Sequence, residues 1–125
     1  VLDPMELIQA YGADALRFTL ASLSTPGRDI KIGPSRVELS RNFMTKIQNS
    51  AKFLEMNKCV YDEHFDPLTC KHQLNQYMYE MTARLLENVS VQLDAYRFDI
   101  AANHLRIFLW DIFCDFYIEC LQNLF

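Results

Sequence analysis

The chain has 125 residues, of which half are hydrophobic and 22% are charged, with a net charge of −4. That length suits one domain able to bury roughly two-thirds of its unfolded surface, and the balance is that of a soluble globular protein, not a disordered chain. The longest apolar stretches, such as Ile107 to Trp110, fall far short of a membrane span, and no basic-then-apolar leader opens the chain. A cytoplasmic location with no membrane partner is the expectation.

Breaker residues divide the chain into five predicted helices and no convincing strand. Asp3 is placed to cap the first, with Pro4 at its first position and Glu6 positioned to complete a capping box. Gly12 supplies a left-handed stop. A second helix runs from about Asp14, whose carboxylate suits a helix start, to about Leu23. Residues 25–34 form a loop with two prolines and two glycines, after which Ser35, with Glu38 three residues on, reads as the cap of a long helix ending near Asn57.

An acidic connector, residues 62–67, leads to a fourth helix starting at Pro67, with Leu74, Met78, Met81, Leu85, Val89 and Leu93 on its inner face. After a turn at residues 96–98, stabilised by Arg97 beside Asp99, Asp99 caps a fifth helix. Its inner face carries Leu105, Phe108, Leu109, Ile112, Phe113, Phe116, Cys120 and Leu124. The last two helices face the long third helix, so the expected fold is an all-α antiparallel bundle with two short N-terminal helices at one end.

Four cysteines, Cys59, Cys70, Cys114 and Cys120, are even in number, but no Cys-x-x-Cys pair occurs. Buried or half-buried free thiols are the expectation. Cys70, His72 and His64 lack the spacing of metal ligands, so no metal is expected. None of the three histidines has a sequence partner for acid–base work. Trp110, Phe113, Phe116 and Tyr117 recur at helical spacing and read as core.

The charge is unevenly distributed. Arg28, Lys31, Arg36, Arg41, Lys46 and Lys52 stand against only Asp29 and Glu38, while the segments on both sides are acidic. On the third helix Phe43, Ile47, Ala51 and Leu54 form one apolar stripe, and Asn42, Lys46, Asn49 and Phe53 form a second about 120° away. An aromatic ring off the core stripe, flanked by amides and cations, suits single-stranded RNA. Bases stack on the ring, amides read base edges, and cations meet phosphates. An acidic protein can bind RNA when its positive potential is concentrated in one place. A basic face for an acidic protein partner is the competing reading.

Two runs carry a resemblance. One is Tyr11-Gly12-Ala13-Asp14-Ala15-Leu16-Arg17-Phe18, continued by Thr25-Pro26-Gly27-Arg28-Asp29-Ile30-Lys31. The other is Tyr96-Arg97-Phe98-Asp99-Ile100-Ala101-Ala102-Asn103, followed by Trp110-Asp111 and Phe113-Cys114-Asp115-Phe116-Tyr117. In order and spacing they resemble valyl-tRNA synthetases, class I aminoacyl-tRNA ligases. The first run occurs with variations in the isoleucine and leucine enzymes too, which remain the alternative. The loop at residues 25–31 favours valine.

The resemblance implies a piece of a longer enzyme. Residues 1–34 correspond to a stem-contact segment leading from the catalytic domain, and residues 35–125 to the anticodon-binding bundle. The His-Ile-Gly-His and Lys-Met-Ser-Lys-Ser signatures are absent from the chain, so it is expected to do no chemistry of its own. ATP and magnesium belong to the parent enzyme, and no cofactor is implied here. The implied partners are the tRNA(Val) anticodon loop and the parent's catalytic domain, with no DNA. The family's anticodon-facing lysine and phenylalanine correspond to Lys46 and Phe53, with Asn42, Asn49, Lys52, Arg41 and Arg36 completing the expected site. Where relatives often carry an arginine before the phenylalanine and an aromatic two residues after the lysine, this chain has Lys52 and Gln48. Lysine keeps the charge but loses the planar fork. Arg28 and Asp29 are expected to orient their loop and not to touch a base.

Overall fold

A computed structural model describes residues 2–124; Val1 and Phe125, the outer ends of the two expected segments, lie outside the described residues. Helix α1 spans Pro4–Tyr11. The Asp3 carboxylate accepts the Met5 amide at 2.9 Å, so Asp3 and Pro4 start the helix as expected. The Asp3 carboxylate takes the Met5 amide and not that of Glu6, which bonds the Asp3 carbonyl at 3.1 Å, and among the described residues no bond from the Glu6 side chain to the Asp3 amide completes the capping box. At Gly12 the backbone has φ 95° and ψ 151°, outside the left-handed helical basin and in a region nearly reserved for glycine. Its amide closes α1 on Ile8, and its carbonyl opens α2 by accepting from Leu16.

Helix α2, Ala13–Leu23, packs on α1, on α3 and on the start of the C-terminal helix. Leu7, Ala15, Leu16 and the fully buried Val37 form a core here, flanked by Ile8, Tyr11 and Ile32. A buried hydroxyl pair joins α2 to α3. The Thr19 hydroxyl donates to the Ala15 carbonyl at 2.8 Å, which leaves Ser40 to donate to Thr19 at 2.7 Å.

Helix α3 spans Pro34–Met56. Its cap is Gly33, not Ser35, because Pro34 takes the first helical position, where its missing N–H costs nothing. The expected apolar stripe holds at the buried Phe43 and the half-buried Ile47 and Leu54, but Ala51 is exposed. Ser50 is buried beside it, with its hydroxyl donating to the Ile47 carbonyl at 2.7 Å.

Pro67 does not begin the fourth helix. Asp66 caps a single 3-10 turn, Pro67–Thr69, after which Cys70 is extended. Helix α4, Gln73–Asp94, starts only after His72, whose Nδ1 accepts the Leu74 amide at 3.2 Å. A cap and a proline are local signals that serve a one-turn helix as well as a long one, and here the extended Cys70 stops the turn. Met78 is the buried residue of α4, and Leu93 at its end is exposed.

The C-terminal helix is continuous from residue 98 to 122 but changes winding. Helix α5, Phe98–Arg106, passes into a π-helical stretch, Ile107–Ile118, and ends in α6, Glu119–Gln122. Arg97 caps it in place of Asp99, which lies in its first turn. Arg97 still secures the turn, donating to both Asp99 oxygens at 3.1 and 3.0 Å. The expectation of one α-period fails in the middle, and Phe116 and Leu124 of the expected inner face are exposed.

Consecutive long helices run in opposite directions. Tyr117 donates to Asn75 near the start of α4, and Asn88 shares a cavity with His104, so α4 and the C-terminal helix are antiparallel. Phe43 meets Trp110, and Lys46 meets Asp115, so α3 and the C-terminal helix are parallel. The C-terminal helix is therefore the shared partner: Trp110, Cys114 and Ile118 turn toward α3, and Leu109, Phe113 and Tyr117 toward α4.

Candidate nucleic-acid interface

An open groove of about 490 Å³ runs between α3 and the C-terminal helix. Asn42, Lys46, Asn49 and Phe53, the second stripe read from the sequence, all line it. They do so because positions three or four apart on a helix share a face. Facing them are Trp110, Asp115 and Glu119, carried on the widened stretch and the turn after it.

The Trp110 wall of the groove is tied to the core by rings. Phe18 lies 5.1 Å from Phe43, centroid to centroid, and Phe43 lies 6.3 Å from Trp110 in a stacked arrangement. Above this row the Lys46 ammonium sits 4.4 Å from the centre of the Trp110 ring and donates to an Asp115 oxygen. Lys46 is thus engaged by a carboxylate and an aromatic face, neither of which its own helix supplies. The pair is partly open to solvent, with the Lys46 side chain 28% exposed and that of Asp115 51%.

The other expected cations lie elsewhere. Arg41 reaches over the Tyr11 ring at 5.5 Å and pairs with Glu38 at 3.5 Å. Arg36 lines a small cavity with Phe18, Ser22 and Arg106 at the opposite end of α3. Lys52 is exposed next to Phe53 but does not line the groove. Arg28 and Asp29 are both exposed, and the Arg28 amide closes a turn on the Thr25 carbonyl at 3.3 Å. Among the described residues neither side chain forms an ion pair. Trp110, expected in the core, is half-buried and forms a groove wall. Asp115, the partner of Lys46, is not legible from the sequence, because the two halves of the groove are separated by more than fifty residues of chain.

A second, more apolar cavity lies between α4 and the C-terminal helix, where Phe113 stacks on Tyr117 at 6.0 Å. Burial raises the Tyr117 hydroxyl above its ordinary pKa, with Cys70 and Cys59 acting in the same direction. All four thiols are free. Cys114 is buried and Cys70 and Cys120 are half-buried, whereas Cys59 is exposed, contrary to the expectation for it. Among the described residues no helix is long and apolar enough to cross a membrane.

Residues 75–125 match the family described as the anticodon-binding domain of tRNA ligase. Over that stretch, α4 and the C-terminal helix, the chain is similar to the anticodon-binding class. The matched part contains the Trp110, Asp115 and Glu119 wall; the α3 wall precedes it. Over 119 residues, 95% of the chain, it is 47% identical to the valine–tRNA ligase of Bradyrhizobium diazoefficiens, of which it covers 12%. Over its whole length it is 44% identical to the valine–tRNA ligase of Rhizobium meliloti, covering 13% of that protein. The corresponding enzyme of Caulobacter vibrioides is 44% identical over 119 residues. The chain matches a fragment of valyl-tRNA synthetase and spans about an eighth of the length of these relatives.

Proposed function

We propose that this chain is the tRNA-binding unit of a valine–tRNA ligase and holds the anticodon loop while a catalytic domain elsewhere in the parent performs ATP-dependent aminoacylation. The observation that carries the reading is the convergence of Asn42, Lys46, Asn49 and Phe53 on one groove. Anticodon bases stack on Phe53, and Asn42 and Asn49 hydrogen-bond their edges. Lys52, exposed beside the groove, takes phosphate, with Arg41 and Arg36 extending the positive surface along α3. Residues 1–34 form the stem-contact segment and residues 35–125 the anticodon-binding bundle. The chain carries no chemistry of its own, and ATP and magnesium act in the parent, in the cytoplasm.

Titration of labelled anticodon stem-loops for valine and for isoleucine tests the proposal. The valine loop is expected to bind tighter, and Phe53→Ala is expected to reduce that preference. Equal affinities that respond only to salt would leave a generic basic surface.

A further inference from the structure

The groove has an unusual charge balance for a surface that meets a polyanion. Among the described residues its lining holds one cation, Lys46, against two carboxylates, Asp115 and Glu119. The cation is already occupied, since its ammonium donates to Asp115 and rests over the Trp110 ring. A phosphate entering here must break that pair and approach two carboxylates at once. A neutral base edge meets no such opposition, and Phe53 lines the groove with a ring, whereas the Trp110 ring is engaged by Phe43 and Lys46. Carboxylate oxygens accept hydrogen bonds from exocyclic amino groups and repel carbonyl edges.

We propose that Asp115 is a specificity-determining residue of the groove: it holds Lys46 in place and, with Glu119, excludes backbone phosphate, so that the groove admits base edges and favours those bearing an amino group. This rests on the nucleic-acid reading above. The positive charge that attracts the backbone then lies outside the groove, at Lys52 and toward the start of α3. Selection inside is by hydrogen-bond acceptors and rings. Asp115 acts partly through Lys46, as a positioning residue, and partly through its own acceptor capacity.

Cytosine and uracil have the same ring size and differ at one edge by an amino group against a carbonyl. The test therefore titrates single-stranded oligocytidine and oligouridine of equal length, with inorganic polyphosphate as a backbone without bases. The protein and its Asp115→Asn and Phe53→Ala variants are compared over a range of salt, with fold checked by circular dichroism. Asp115→Asn is expected to cut the cytosine-over-uracil preference by about fivefold, the low end for one lost base-edge contact. It should also tighten polyphosphate binding and steepen the log–log salt dependence by about 0.7, the value for one added phosphate contact on a single strand. Glu119→Gln should move the preference in the same direction. Unchanged preference and slope in folded Asp115→Asn, with oligocytidine binding still lost in Phe53→Ala, would overturn the role of Asp115 and leave the nucleic-acid reading intact. Absence of oligonucleotide binding by the unmodified protein would overturn both.

Discussion

The Lys46 ammonium lies 4.4 Å from the centre of the Trp110 ring while donating to Asp115, 69 residues away in sequence. This arrangement joins α3 to the C-terminal helix and sets the polarity of the groove between them. Its contribution to stability is small, because both charges are partly hydrated. An exposed ion pair contributes under about 1 kcal/mol, and a cation over an exposed ring about 0.5–1 kcal/mol. Lys46→Gln should therefore lower stability by no more than about 2 kcal/mol in urea unfolding. A loss well above that would make the pair a structural support of the bundle.

Phe53 is half-buried at the end of the groove, one residue from the exposed Lys52. Stacking of a base on an aromatic side chain contributes about 1–3 kcal/mol, so Phe53→Ala should weaken anticodon stem-loop binding by that amount. Calorimetric titration reads the change directly. An unchanged dissociation constant in a folded variant would remove Phe53 from the interface.

Phe108 marks the opposite behaviour. It is 8% exposed and faces α4 rather than the groove. Phe108→Ala should cost about 3–5 kcal/mol in stability, the usual range for a buried ring. Base preference of the folded fraction should stay as it was, and a changed preference would link the α4 side to recognition.

Gly12 ends one helix and starts the next with a backbone that only glycine adopts easily. An added Cβ would meet nothing within 4 Å, so the cost of Gly12→Ala is conformational and not steric. About 1–3 kcal/mol is expected, read as a lower melting temperature. A neutral substitution would show that the α1–α2 junction can relax.

Legibility in the sequence followed the range of the interaction. Asp3, Pro4 and Gly12 act within one turn, so the helix start and the stop are readable, although Gly12 makes its stop outside the left-handed basin. The stripe of Asn42, Lys46, Asn49 and Phe53 was readable too, because it depends only on helical period. Pro67 misled, since the same local cap can open a single turn, and the actual start depends on His72 accepting the Leu74 amide. Asp115 and the wall position of Trp110 were hidden, because they acquire meaning only when the C-terminal helix runs parallel to α3. The π-winding of Ile107–Ile118 left no mark in the apolar pattern, which reads equally well as an α-helix.

The Arg97 guanidinium, bonded to both Asp99 oxygens, holds that carboxyl below its ordinary pKa, and the guanidinium is raised in turn. A carboxylate with a depressed folded-state pKa stabilises the fold above its unfolded value, near about 3.9. The contribution is lost as pH falls through the depressed value. Arg97→Gln should raise the Asp99 pKa, seen by carboxyl NMR titration. Its destabilisation should be present at neutral pH and fade in acid below about pH 4. A destabilisation independent of pH would assign Arg97 a packing role.

The most direct test of the groove as the anticodon site is amide hydrogen exchange of the protein with and without the valine anticodon stem-loop, read together with backbone NMR shifts. Changes concentrated at residues 42–53 and 110–119 are expected, with α4 largely unaffected. Changes confined to α4 or to the loop at residues 25–33, with the groove silent, would contradict it.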